Sequence, residues 1–284
     1  MKSIIICLIF LAVGAHAQQR SNWMQITFDD DQVTAEIEVT EARVLAYGQP
    51  DNFLQDFQWN EPISAILATE QDGSGSKIVA MNDDAKWTYV QTSMTDIRAL
   101  KMLPASQSSS FITHRDGQDY LIQKNNDDYT TLLKTHRIID YDWINSKTVA
   151  VVVQSETMKE SSFLLDIYSN NQIAISIHPG KTVKRISDDE VAFIDIFSDE
   201  YRYIKIYNLQ YENSKIITKI PQSVSAFTYA ENDRFYIGVE DNIQYFTRDR
   251  SVKWDPYIKL KSYGINKIAH VEFISPNSCI IQYD

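Results

Sequence analysis

Short apolar runs separated by polar turns recur along the chain and predict β-strands. The segment 203–207 alternates apolar and polar positions, as strands do, and Val149-Ala150-Val151 is one of several short apolar runs. Apolar residues at the three-to-four spacing of helices are not found in these segments. The pattern therefore predicts an all-β protein.

One pattern recurs six times: a large or aromatic anchor residue, a polar turn, and an apolar strand that begins six residues after the anchor. Successive anchors are 40 to 44 residues apart, and they are Trp59, Leu103, Trp143, Arg185, Tyr229 and Phe273. Further strands follow in several repeats, for example at 172–177 and 215–220. A period of about 40–45 residues with several strands per unit is typical of propeller blades. A β-sandwich with chance regularity is the alternative.

The two ends of the chain supply the strands that the repeat leaves over. The last repeat has two strands, at 269–274 and 279–283, and the segments 23–28 and 33–47 add two more. Together these predict one four-stranded blade that closes the ring and leaves no open sheet edges. The prediction is thus a six-bladed propeller, or a seven-bladed one if the N-terminal strands form a blade of their own.

The first residues have the layout of a secretory signal peptide. Lys2 is followed by an apolar run at 4–13 and by the small-x-small site Ala15-His16-Ala17. The run is too short for a stable membrane span, although a retained N-terminal anchor is the alternative. We expect cleavage after Ala17, no lipid anchor at Cys7, and a single propeller domain at 18–284.

Cysteine use and charge point to an exported protein that avoids nucleic acid. The mature chain keeps one cysteine, Cys279, and has no Asn-x-Ser/Thr acceptor, which favours a bacterial periplasmic or secreted location. The full chain has 38 acidic and 27 basic residues and a net charge of −11. Such a surface repels nucleic acid and anionic lipid, so neither is an expected partner.

Two segments resemble the F-S-P-D-G-x-x-I-A-F repeat of TolB-type six-bladed propellers. They are Phe273-Ile274-Ser275-Pro276-Asn277 and the run from Ile186 to Phe193. The resemblance implies a periplasmic or secreted binding scaffold whose contacts lie at the mouth of the central channel. It implies no shared catalytic residue.

The candidate reactive residues do not form a known catalytic or metal-binding motif. The mature histidines are His114, His136, His178 and His270, and they stand at different distances from their anchors, so we expect no metal and no cofactor. The run Asp29-Asp30-Asp31 lacks the spacing of a calcium loop and is interpreted as a solvated turn.

A pair of carboxylates could serve glycoside hydrolysis, which defines an enzymatic alternative. The candidates are Asp56, Asp140, Asp142, Asp188 and Asp195. Asp140 and Asp142 flank Tyr141 and would share one face of a strand. The competing interpretation is that Asp142 accepts hydrogen bonds from turn amides.

The aromatic anchors Trp59, Trp143, Tyr229 and Phe273 could line a ligand platform, but packing between blades is the favoured interpretation. We therefore predict a non-catalytic binding module of the envelope or extracellular space, with an unknown protein or glycan bound at the channel mouth. The alternatives are a carbohydrate-active propeller enzyme and a structural component of a secreted assembly.

Overall fold

The computed structural model describes residues 22–28, 39–44, 53–60, 65–72, 75–81, 87–89, 96–104, 106, 108–126, 128–230, 233–275 and 278–283. The predicted signal peptide at 1–17 and the acidic run at 29–31 lie outside these residues. So does the side chain of Asp56.

The described residues form 24 β-strands and one short 3-10 turn at Lys261–Tyr263. The strands are β1 (Asn22–Phe28), β2 (Val39–Val44), β3 (Phe53–Asn60), β4 (Ala65–Asp72), β5 (Gly75–Met81), β6 (Trp87–Tyr89), β7 (Ile97–Met102), β8 (Ser109–Arg115), β9 (Gln118–Asn125), β10 (Asp128–Thr135), β11 (Arg137–Trp143), β12 (Thr148–Gln154), β13 (Glu160–Asp166), β14 (Gln172–Ser176), β15 (Pro179–Arg185), β16 (Glu190–Ser198), β17 (Tyr201–Asn208), β18 (Asn213–Ile220), β19 (Thr228–Ala230), β20 (Arg234–Val239), β21 (Asn242–Thr247), β22 (Asp255–Lys259), β23 (Ile268–Ser275) and β24 (Ser278–Tyr283).

The strands form four-stranded antiparallel sheets arranged as an all-β propeller, as the repeat predicts. Five blades are each built from four consecutive strands: β3–β6, β7–β10, β11–β14, β15–β18 and β19–β22. A further four-stranded sheet has the order β2-β1-β24-β23, so it combines strands from both ends of the described chain. The structure therefore shows five blades of consecutive strands, not the six or seven that the repeat predicted, and β1 pairs along its length with β24 instead of belonging to a separate blade.

The six-residue spacing of the repeat has a direct structural cause. Each anchor lies at or near the end of the first strand of its sheet, opposite the strand that follows. Four anchors pair with the residue six positions later: Trp143 with Val149, Arg185 with Val191, Tyr229 with Phe235, and Phe273 with Cys279. The connecting turns are alike, since Ile144 N donates to Thr148 O at 2.9 Å and Ile186 N donates to Glu190 O at 3.0 Å.

The second strand of a blade is apolar on both faces because a neighbouring blade covers each face. In β12, Val149 and Val151 pack towards the preceding blade, whereas Ala150 and Val152 pack towards the following one. Such strands read as continuous apolar runs instead of alternating ones. Hydrophobic clusters of this kind lie between successive sheets from the β3–β6 blade to the sheet that contains β23 and β24, and they form the core.

The first strands of the sheets lie at the centre of the propeller. They contact one another in the cyclic order β3, β7, β11, β15, β19, β23 and back to β3. Side chains on these inner strands therefore meet around the central channel.

Candidate functional site

Charged side chains from four inner strands gather around the central channel. We call them the channel cluster: Lys101 of β7, Asp140 and Asp142 of β11, Lys184 of β15, and His270 and Glu272 of β23. Each side chain is at most one-quarter exposed. The cluster combines both signs of charge, so it can neutralise itself.

Asp140 and Asp142 fasten the inner strand of one blade to that of the next. Asp140 Oδ2 accepts a hydrogen bond from Val183 N at 3.0 Å, and Asp142 Oδ2 accepts one from Arg185 N at 2.8 Å. Both donors belong to β15. The prediction that these carboxylates share one face of a strand is confirmed. Asp142 also accepts backbone amides, as predicted, but one of them belongs to the neighbouring blade (Arg185 N) and the other to its own strand, where Trp143 N donates at 3.1 Å.

Lys101 completes this half of the cluster. Its Nζ lies 3.8 Å from Asp140 Oδ1 and 3.4 Å from Asp142 Oδ1. Burial alone would lower the pKa of Lys101, but the two aspartates and Glu272 raise it above its usual range. The lysine therefore stays protonated and holds β7 to β11.

The other half of the cluster joins β15 to β23. Lys184 Nζ donates to Glu272 Oε2 at 2.8 Å, His270 Nε2 lies 3.6 Å from the same oxygen, and Thr228 Oγ1 donates to it at 3.4 Å. Burial opposes ionisation of Glu272, but Lys184 and His270 hold its pKa well below the usual range. Glu272 is thus a charged, fully engaged carboxylate.

The pKa of Asp140 is shifted in the opposite direction to that of Glu272. Burial raises the pKa of Asp140, and the positive charges of Lys101 and Lys184 offset this only in part. A carboxyl with a raised pKa beside a second carboxylate is an arrangement that a general acid would need.

A buried polar network lies just outside the cluster, between the second and third blades. Trp143 Nε1 donates to Ser110 Oγ at 2.7 Å, Ser110 Oγ lies 3.1 Å from Tyr141 Oη, and Tyr141 Oη donates to Ala99 O at 2.6 Å. The network satisfies the polar atoms of two aromatic residues that are less than 2% exposed. These side chains pack between blades and do not face a ligand.

The other aromatic anchors that can be described also pack. The ring centroids of Tyr229 and Phe235 lie 5.1 Å apart with the rings tilted by 55°, and those of Phe273 and Tyr236 lie 4.1 Å apart with a tilt of 32°. The side chain of Trp59 lies outside the described residues. The packing interpretation holds for the anchors that the structure describes.

The remaining candidate residues lie apart from one another. His114 Nδ1 contacts Asp119 Oδ1 at 2.8 Å, and His178 is exposed. Asp188 is 80% exposed beside Arg185, whereas Asp195 pairs with Lys205 in the middle of a blade. Within the described ranges, no group of histidine, cysteine, aspartate or glutamate residues could hold a metal ion.

Sequence reasoning missed the basic half of the channel cluster and Glu272. The signal was present one position before the anchors, where Asp142, Lys184, Thr228 and Glu272 stand. A set of polar residues at one register position on successive inner strands indicates a ring around the channel.

Solved structures that match this chain confirm the propeller fold. A protein described as TolB from Agrobacterium tumefaciens matches with a TM-score of 0.65 and 11% identity, over 93% of this chain and 98% of that one. A chain of a nidogen/laminin complex matches with a TM-score of 0.58 and 9% identity, over 85% and 94% of the two chains. An oligogalacturonate lyase in complex with manganese matches with a TM-score of 0.58 and 8% identity, over 87% and 82%.

These identities show the fold alone, which is that of TolB-type and other propellers. The chain spans 64% of the length of TolB from Acinetobacter baumannii and 40% of a puromycin-hydrolysing peptidase from Mycobacterium tuberculosis. No protein-family model and no curated protein sequence matches the chain. In the described part of the chain, no helix has the length and apolar character needed to cross a membrane.

Proposed function

We propose that the protein is an exported, non-catalytic binding module of the cell envelope or extracellular space. In this proposal residues 1–17 are a signal peptide, and residues 18–284 form one domain in which the sheet β2-β1-β24-β23 acts as a sixth blade that closes the ring. The observation that carries the proposal is that the charged groups of the channel cluster are already engaged in ion pairs and hydrogen bonds with one another and with the backbone. Its lysines pair with its carboxylates, and Asp140 and Asp142 also accept backbone N–H groups of β15. Groups engaged in this way hold blades together.

In this proposal the partner binds at the mouth of the channel, at the end where β11 and β15 begin. Arg137 is the first residue of β11 and Lys181 the third of β15, and both are exposed. Within the described residues neither side chain makes an ion pair, whereas the chain as a whole carries a net charge of −11. These two cations would attract carboxylate groups of a partner protein or of an acidic glycan.

Affinity capture from envelope extract tests this proposal with a matched pair of variants. Arg137→Glu/Lys181→Glu reverses the two charges at the mouth. Arg250→Glu/Lys253→Glu reverses an exposed arginine and an exposed lysine in the turn between β21 and β22, at the outer part of a blade. We expect the first variant to lose the partner and the second to keep it. Equal recovery on both variants would refute recognition at the mouth.

The raised pKa of Asp140 favours a second candidate, a carbohydrate-active enzyme in which Asp140 acts as the general acid and Asp142 as its partner. Turnover of oligosaccharides by the purified protein tests it. Product formation that Asp140→Asn abolishes, in a variant that still folds, would establish this candidate in place of the binding module.

A further inference from the structure

The outer edge of β14 has no strand partner among the described residues. Its sheet has the order β11-β12-β13-β14, with β11 beside the channel, so β14 is the outermost strand of the blade. One edge of β14 pairs with β13, and in the described part of the chain no backbone hydrogen bond joins the other edge to another segment. Such an edge presents a row of N–H and C=O groups that can pair with a strand of another chain.

This edge also lacks the residues that usually protect an outer strand. Lysine and proline at a sheet edge oppose the addition of a further strand. The outer strands β10, β18 and β22 each contain a lysine, and β22 contains a proline as well. Residues 167–180, which include all of β14, contain no aspartate, glutamate, lysine or arginine, although 23% of the residues of the chain are charged. The edge of β14 is therefore open to pairing in a way that the other three edges are not.

Exposed apolar side chains lie along β14 and at both of its ends. Ile173 in the strand is 40% exposed, and Ile177 directly after the strand is 72% exposed. Tyr168, in the turn before the strand, is 76% exposed. Large apolar side chains grouped at one exposed edge are typical of a surface that another molecule covers.

These side chains match those of a second copy of the same strand. In an antiparallel pair of β14 strands with a two-fold axis at Ala174, Ile173 lies opposite Ile175 of the second copy, and no two like charges face each other. The same symmetry brings the end that carries Ile177 to the end of the second copy that carries Tyr168. Each exposed apolar side chain therefore gains an apolar neighbour.

We infer that the protein forms a two-fold symmetric dimer in which the β14 strands of two copies pair antiparallel, edge to edge. The same symmetric pairing of β18 about Ile217 would place Lys215 opposite Lys219 of the second copy, so β18 is less suited to it. Pairing of β14 uses one edge of one blade and closes at two copies. It leaves the channel mouth accessible and does not depend on the function proposed above.

Sedimentation equilibrium of the mature protein at different concentrations tests the inference. The strand has five residues, and the interface is smaller than the roughly 1,600 Å² of a stable complex, so we expect a dissociation constant of about 10–100 µM. Because the full chain carries a net charge of −11, salt should screen the repulsion between two copies and strengthen the dimer. A protein that stays monomeric up to about 500 µM, or a dimer that salt weakens, would overturn the inference.

Charge variants at the exposed Ala174 make the test specific to β14. Ala174→Lys and Ala174→Glu each place two like charges opposite each other at the two-fold axis, so each should weaken dimerisation about fivefold or more. An equimolar mixture of the two variants should dimerise again, because opposite charges then face each other. Ile216→Lys, at a 53% exposed position of the outer strand β18, is the control and should dimerise as the wild type does. Failure of the mixture to dimerise would contradict antiparallel self-pairing.

Backbone hydrogen exchange locates the interface. Amides of residues 172–176 should exchange more slowly at high than at low protein concentration, because pairing protects them. Protection confined to another blade would overturn the inference. A strand of a different protein is the other possible occupant of this edge, and a monomeric wild type whose captured partner is lost in Ala174→Lys would show that occupant instead. If β14 pairs with itself, Ala174→Lys should still bind a partner at the channel mouth, so failure of one proposal can be told from failure of the other.

Discussion

Replacing Glu272 by glutamine should destabilise the protein by about 2–4 kcal/mol, because the substitution leaves a poorly hydrated ammonium without its counter-charge. The side chains of Lys184 and Glu272 are 17% and 16% exposed, and their charged atoms are 2.8 Å apart. Two unit charges at that distance attract by roughly 6 kcal/mol at an effective dielectric constant of 20. Glutamine keeps one oxygen that can accept from Lys184, and the desolvation cost of the carboxylate disappears, so the net loss is smaller.

Urea unfolding followed by tryptophan fluorescence measures this loss, since Trp143 is fully buried and reports on the core. The melting temperature should fall by about 5–15 °C. The effect should also depend on pH. The pKa of Glu272 is lower in the folded protein than in the unfolded chain, so its contribution is complete above about pH 4.3 and declines as the pH falls further. The difference between wild type and variant should therefore shrink in acid.

Asp188→Asn is the control, because Asp188 is 80% exposed in its pair with Arg185. Exposed pairs contribute little, so this variant should change stability by less than about 1 kcal/mol. The reasoning is refuted if Glu272→Gln costs no more than Asp188→Asn, or if its cost stays constant as the pH falls.

Three further predictions follow from single contacts. Asp142→Ala should cost about 2–4 kcal/mol in the same unfolding assay, because it leaves Arg185 N without its acceptor and removes the nearer of the two carboxylates beside Lys101; a loss under about 0.5 kcal/mol would contradict the role of Asp142 in joining β11 to β15. Gly238→Ala should cost about 1–3 kcal/mol or prevent folding, since the new Cβ would lie 2.5 Å from Ile268 Cγ2; wild-type stability would show that the strands separate freely. Cys279 is fully buried, and burial raises the pKa of its thiol. A thiol reagent should therefore label Cys279 only after denaturation. Fast labelling of the folded protein would show that the sheet β2-β1-β24-β23 opens.

The fold could be predicted because its main signal is local in sequence. The turn from anchor to second strand spans six residues, so pairs such as Trp143 with Val149 leave a regular imprint on the chain. The apolar runs of β12 and β16 follow from burial on both faces, which every blade repeats. The pairing of β1 with β24 left no such imprint, and its prediction depended on counting leftover strands.

The channel cluster was only half predictable, because its contacts join residues far apart in sequence. Asp140 and Asp142 stood out since two carboxylates flank an aromatic residue. Lys184 and Glu272 are 88 positions apart, and no short motif links them. Only the alignment of the inner strands around the channel brings them together. That alignment can be derived from the sequence once the anchors are known to lie at the ends of these strands.

The central claim is that the protein binds a partner at the channel mouth, while the channel cluster holds the blades together. Quantitative affinity capture from envelope extract tests this claim most directly. The compared proteins are the wild type, Arg137→Glu/Lys181→Glu and Arg250→Glu/Lys253→Glu. We expect a partner on the wild type and on the second variant, with recovery on the first lower by about tenfold or more. Equal recovery on all three proteins, or no partner on the wild type, would contradict the claim.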